Sequence, residues 1–275
     1  MGFSVNTNVG AMAALQSLNE TGKGLATVQT RINTGLAVSS TKDDSASYTI
    51  AQTLRGDVGG LKAVTSSLNR AKSTVDVAVA GAEQISDIVN QMKAKATEAM
   101  DEGIDADSRS AINEDFTALK AQIGTIIDSS EFNGTNLLKS TATSKEVKAL
   151  QSTDTTAGTL DVANQSLDTK VTAAITGGLT DAATSKTMVD SLDDIAKDVN
   201  TSLSALGAGS RKIDNQLTFT SKLSDVIEGG IGNLVDADLA KESAKLQALQ
   251  VKQQLGVQAL GIANQAPQTI TSLFR

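Results

Sequence analysis

Two places in the chain set carboxylates side by side, Asp43-Asp44 and Asp193-Asp194. Paired carboxylates serve general acid–base catalysis and divalent-cation binding. Adjacent residues on a helix, however, point in different directions. The pairs therefore read as a helix cap and a solvated face, and neither has the ligand spacing of a calcium loop. Gly229-Gly230-Ile231-Gly232 is rich in glycine, but no strand precedes it and its spacing is not that of a dinucleotide-binding turn. No Gly-Lys-Ser/Thr phosphate loop is present. The 275 residues include no His and no Cys. That removes imidazole acid–base chemistry, thiol nucleophiles, disulfides and the usual zinc sites. Ser and Lys are plentiful, yet no spacing pairs a nucleophile with a base. No catalytic, cofactor-binding or metal-binding residues are expected, and the chain is read as not an enzyme.

Composition narrows the partners. The formal net charge is −7, aromatic residues are 2 % and there is one Pro. An acidic chain is poorly suited to nucleic acid or to an anionic membrane surface. No run of 18 apolar residues exists, so no membrane span is expected. The start, Met1 to Asn8, has no basic segment followed by an apolar one, so a cleaved signal peptide is not expected. At 40 % apolar residues a sizeable core is still within reach.

The elements that must carry any function are long helices. Leu54, Leu61, Leu68, Val75, Ala82, Val89 and Ala96 recur every seven residues. Val64, Ala71, Ala78, Ile85, Met92 and Ala99 follow, offset by three. This is the seam of a helix in a left-handed bundle. It predicts a helix over 44–100, about 85 Å long at the standard rise, which suggests a rod. A second helix is expected over 108–129 on Ile112, Phe116, Leu119, Ile123 and Ile126, and a third over 181–228 on two interleaved series that include Leu192, Val199, Leu206 and Ile213. Residues 139–159 are dense in Ser and Thr, and Val147, Leu160, Val162 and Val171 are candidates for short strands. The segment 132–180 is therefore read as a hairpin or loop region.

The two ends differ from this middle. Residues 8–32 and 236–266 both have helical spacing, yet both contain helix-weakening glycines, Gly22 and Gly24 in one and Gly256 and Gly261 in the other. Residues 1–43 carry Lys23, Arg31 and Lys42 against Glu20 and Asp43; residues 233–275 carry Lys241, Lys245, Lys252 and Arg275 against Asp236, Asp238 and Glu242. Each end is thus net +1 and the stretch between them −9. Nearly neutral amphipathic ends can pack densely while the acidic middle stays solvated. Each end is a poor helix alone and an adequate one when paired, which is the pattern of coupled folding and binding.

The ends also resemble bacterial flagellin. Arg31-Ile32-Asn33-Thr34-Gly35 running into Lys42-Asp43-Asp44 resembles a segment of that family, as does Phe132-Asn133-Gly134-Thr135-Asn136-Leu137-Leu138. The tail is similar in Asp236-Ala237-Asp238-Leu239, Gln253-Gln254-Leu255-Gly256, Ala263-Asn264-Gln265-Ala266-Pro267 and Ser272-Leu273-Phe274-Arg275. The resemblance covers about 1–138 and 182–275, and its style is that of short alphaproteobacterial, Caulobacter-like flagellins.

That resemblance implies a mainly α fold: a long coiled-coil or helical-bundle rod with a small β-hairpin region, its terminal helices paired as an inner-tube coiled coil. The implied domains are 1–33 plus 233–275 for the inner tube, 34–43 as linker and 44–232 as outer-tube rod, with 132–180 as hairpin region and no further outer domain. Leu15, Leu18, Leu25, Ile32, Leu246, Leu249, Leu260 and Ile262 are the expected inner-tube packing residues. Thr141, Thr143, Ser144, Thr153, Thr155 and Thr156 are implied candidates for O-glycosylation. The implied work is polymerisation into a secreted, extracellular flagellar filament for swimming. Implied partners are the chain itself, the export apparatus and a chaperone, and hook-junction and cap proteins. A hook–filament junction protein sharing the same ends is the alternative reading.

Overall fold

The computed structural model describes residues 7–140, 146–154 and 156–271. Five α-helices run in chain order: α1 (Val9–Thr34), α2 (Ser45–Glu98), α3 (Ala106–Ser129), α4 (Ala182–Val235) and α5 (Leu239–Thr271). Between α3 and α4 lie two antiparallel hairpins, β1 (Glu131–Phe132) with β2 (Thr135–Asn136), and β3 (Val147–Leu150) with β4 (Thr159–Val162). A single π-helical turn spans Asp168–Thr172. The chain forms two compact units, one of residues 57–225 and one of 1–56 with 226–275.

The core of the 57–225 unit is the seven-residue repeat made solid. On α2 both series are buried from Leu61 and Val64 to Ala96 and Met92, with Ala99 just past the helix end, and Ile88 joins them. Leu54, at the start of the pattern, is half-buried. On α3 the buried face is Ile112, Phe116, Ile123 and Ile127, with Leu119 and Ile126 packed at its edge. On α4 the fully buried series is Leu192, Val199, Leu206 and Ile213, continued by the polar Thr220. α2 and α4 run antiparallel, as ion pairs Lys72–Asp214 (2.9 Å) and Lys93–Asp193 require.

The segment after α3 is ordered by a few polar contacts. Asn133 (φ 50°) and Gly134 (φ 78°) form the tight turn of the first hairpin, the mirror-image type that favours Asn-Gly. Asn136 donates to the Ile127 carbonyl (2.6 Å) and accepts from the N–H groups of Leu138 and Lys139. That fold-back buries Leu137 and Leu138. The second hairpin is tied to α2 by the Leu150 N–H donating to Ser67 Oγ (3.2 Å), and to α4 by Gln216 donating to the Gln151 carbonyl (2.7 Å). A Cβ at Gly209 of α4 would stand 3.0 Å from both methyls of Val162, so the glycine that weakens the helix also admits the hairpin. Val171, expected on a strand, is instead buried on the π-helical turn, where Ala173 N–H reaches back to the Asp168 carbonyl.

Gly229-Gly230-Ile231-Gly232 is helical, beyond the expected helix end at 228: α4 continues to Val235, which is buried. The tightly hydrogen-bonded residues Val235–Ala237 that follow fix this end of the helix. Among the described residues no helix is long and apolar enough to cross a membrane.

Candidate assembly interface

In the other unit, α1 and α5 form an antiparallel pair. Their seam obeys a strict alternation of three and four residues. On α1 it comprises Ala11, Ala14, Leu18, Thr21, Leu25, Val28 and Ile32, none of them exposed. On α5 the matching positions are Glu242, Leu246, Leu249, Gln253, Gly256, Leu260 and Ala263. A Cβ at Gly24 would meet Leu249 at 3.6 Å, and one at Gly256 would meet Leu18 at 3.3 Å. The glycines that lower helix propensity therefore let the two helices approach closely.

Polar groups at both ends fix the register of this seam. The Asn8 side chain caps α1 by accepting from Ala11 N–H (3.0 Å) and donates to the Ala263 carbonyl (2.7 Å). At the other end Arg31 pairs with Glu242 (3.3 Å), whose side chain is 10 % exposed. A polar contact at each end excludes slipped pairings that a purely apolar seam would permit. Sequence reading missed Asn8, Thr21 and Glu242; the phase of the repeat, continued through polar residues, is the signal that finds them.

Below the pair, the two connecting segments are stitched together. Gly35 ends α1 in the left-handed conformation (φ 71°), which a residue with a side chain adopts only under strain. Ala37 and Val38 N–H donate to the Val235 carbonyl, and Ala237 N–H donates to the Gly35 carbonyl (2.8 Å). Asp43 then gathers the N–H and hydroxyl of both Ser39 and Ser40 at 3.0–3.2 Å, while Asp44 caps α2 through Ala46 and Ser47 N–H. The carboxylate pair is thus structural.

These hydrogen bonds, the Ser39 hydroxyl first, hold the Asp43 carboxyl below the ordinary 3.8. Its charged form is favoured in the folded state, so its contribution is present above pH 3.8 and is lost as pH falls through the lowered folded value. Protection of the Ser39 and Ser40 amides from hydrogen exchange should fall over that acid range in the wild type. In Asp43→Asn it should be low and pH-independent; equal acid sensitivity in the two proteins would rule the mechanism out.

Burial differs sharply between the units. In the unit holding α1 and α5, the buried apolar residues among those described are Val28, Ala51 and Val235. The same unit exposes Val9, Met12, Leu15, Leu239, Val251, Leu255, Val257 and Ile262. Of the expected packing residues, Leu18, Leu25, Ile32, Leu246, Leu249 and Leu260 are half-buried. Leu15 and Ile262 fall outside the α1–α5 seam and are 48 % and 71 % exposed. On α5, Val251, Leu255 and Ile262 lie on the face opposite the seam. Residues 1–19 and 253–274 contain no Asp, Glu, Lys or Arg at all. Among the described residues, the far end of the pair thus carries no charged side chain and has apolar side chains on both faces. An isolated soluble domain rarely leaves so much apolar surface uncovered.

A helical core whose paired ends leave apolar side chains uncovered has the form of a self-associating protein. Comparison with known families makes that specific. The model of the bacterial flagellin N-terminal helical region matches residues 5–143, and that of the C-terminal helical region matches 189–274. The chain is similar to flagellins FljM and FljK of Caulobacter vibrioides, 44 % and 43 % identical over 99 % of this chain and 98 % of each relative. It is 37 % identical to a flagellin of Brucella melitensis over 99 % of both. A crystal structure of Bacillus cereus flagellin superposes with a TM-score of 0.52 at 25 % identity, covering 55 % of this chain and 86 % of that one. The chain belongs to the bacterial flagellins, a family of structural rather than enzymatic proteins, which self-polymerise into flagellar filaments.

Proposed function

We propose that the chain is a subunit of an extracellular flagellar filament that serves swimming, with the α1–α5 pair building the inner tube. The observation that carries this is the charge-free, doubly apolar end of that pair. Leu15 and Ile262 then contact neighbouring subunits, while Leu18, Leu25, Ile32, Leu246, Leu249 and Leu260 pack within and between pairs. Residues 1–33 with 233–275 act as the inner-tube part, 34–43 as the linker, and 44–232 as the outer-tube part. Contacts in a growing helical polymer are heterologous, each face meeting a different face of the next copy. Export by the flagellar apparatus with a chaperone, and docking against hook-junction and cap proteins, follow from the same reading. Electron microscopy of the purified protein after addition of filament seeds tests it: long filaments are expected, and a ring or short stub that stops growing would favour the junction protein instead.

O-glycosylation belongs to the same proposal. Thr141, Thr143, Ser144 and Thr155 lie outside the described residues. Thr156 donates its hydroxyl to Asp154 (2.8 Å). Thr153 is exposed, and its hydroxyl has no hydrogen-bond partner among the described residues. Its methyl is seated against Gly60 of α2, which orients the residue. Thr153 is therefore the preferred acceptor of the six. Intact mass above that of the bare chain, reduced in Thr153→Val, is expected; a mass equal to the bare chain would exclude modification.

A further inference from the structure

Outside the α1–α5 pair, the surface of the 57–225 unit carries two stripes that no function described so far uses. Along α4, Lys212, Asn215, Phe219 and Lys222 share one outward face at three- and four-residue spacing, and all are exposed. Phe219 is 58 % exposed, a large aromatic with nothing over it. Along α2, Asp76, Ala80, Glu83 and Asp87 likewise share an exposed outward face. One stripe is basic around an aromatic ring; the other is acidic around a methyl-sized notch. Among the described residues, Lys212, Lys222, Glu83 and Asp87 form no ion pair within the chain, and Asp76 has only a distant Lys72 (3.8 Å).

We propose that these stripes are the two halves of a contact between copies of this chain: α4 of one copy docks antiparallel on α2 of a second. Seating the Phe219 ring over Ala80 sets the register. Lys222 then faces Asp76, Asn215 faces Glu83 and Lys212 faces Asp87, each to within one residue. All copies in a filament point the same way, and α2 and α4 run oppositely within each copy, so the antiparallel docking is the one that assembly supplies. The Lys72–Asp214 pair puts Phe219 level with about residue 67 of its own α2. Ala80 lies 13 residues further along, so the two copies are offset by about 20 Å along the helix axis at 1.5 Å per residue. The pairing is heterologous, as open polymer growth requires. A desolvated aromatic anchor ringed by charge pairs is the usual composition of an energetic centre at a protein interface.

The inference rests on the filament-subunit reading but fails separately from it. The chain has no cysteine, so Phe219→Cys with Ala80→Cys introduces its only thiols. Oxidation of seeded filaments of this variant by copper–phenanthroline should give a ladder of disulfide-linked dimers and higher oligomers, and none from dilute monomer. Filaments that grow yet give only monomer bands would overturn this contact while leaving the filament reading intact. Wild-type protein that never elongates seeds would instead remove the filament reading itself. Independently, Lys212→Glu should raise the critical concentration for elongation about fivefold, and adding Asp87→Lys should restore it. Absence of that rescue, or of the initial rise, also overturns the contact.

Discussion

Leu246→Asp will yield a soluble, largely helical monomer that fails to extend filament seeds. Leu246 sits in the middle of the α1–α5 seam, half-buried within the single chain. In the proposed inner tube, neighbouring copies enclose it further. An added carboxylate there lies one turn from Glu242, whose cation Arg31 is already paired, and otherwise meets Leu249, Leu25 and Val28. Burying such a charge costs several kcal/mol, and each subunit incurs it. The critical concentration should therefore rise by more than about a hundredfold. Leu246→Ala, which removes apolar contact without adding charge, should raise it by roughly thirtyfold, corresponding to about 2 kcal/mol. Helicity of the 57–225 unit should be unaffected in both, since its core shares no residue with the seam. Sedimentation of seeded mixtures across a concentration series measures the effect. Wild-type elongation by the Asp variant would remove the inner-tube role of α1 and α5.

Phe116→Ala will have the largest effect on the other unit. Phe116 is 1 % exposed and is the largest fully buried side chain among the described residues. It anchors α3 on the core shared with α2 and α4. Removing a buried ring leaves a cavity in this core, at a cost of about 3–5 kcal/mol. Phe116→Leu keeps most of the volume and should cost less than about 2 kcal/mol. Urea unfolding of the full chain, followed by far-UV circular dichroism, should show a lower midpoint for the main transition in the order Ala, Leu, wild type. An Ala midpoint indistinguishable from wild type would show that α3 is not held by this residue.

The legibility of the fold follows from how far a repeat extends. α2 was readable almost residue by residue, because a seven-residue apolar period sustained from Leu54 to Ala99 has one physical solution. α3 was readable as a helix but its inner face was shifted slightly: Ile127, not Ile126, is the fully buried member. Over a short helix, two neighbouring isoleucines are equally good on spacing alone. In the segment 146–172 the short strands around Val147, Leu160 and Val162 were legible, but where they pack was not. Its order comes from contacts distant in sequence, such as Gln216 with Gln151 and Leu150 with Ser67, which no local pattern encodes. The π-helical turn at Val171 is of the same kind. In the assembly interface, the leucines announced themselves by spacing, whereas Asn8 and Glu242 did not, because a polar residue carries no periodic signal of its own. The apolar excess on α5 was legible as composition, but which side chains turn toward α1 required the phase that the antiparallel partner sets.

The hydrogen bond from Asn8 to the Ala263 carbonyl joins residues 255 positions apart. A ribosome finishes α1 long before it begins α5, so α1 waits for its partner. Until α5 is made, α1 has no intramolecular mate, and a product cut short before α5 never gains one. The pairing thus acts as a check on completeness: under the proposed assembly, only a polypeptide translated through α5 presents the surface on which the polymer grows.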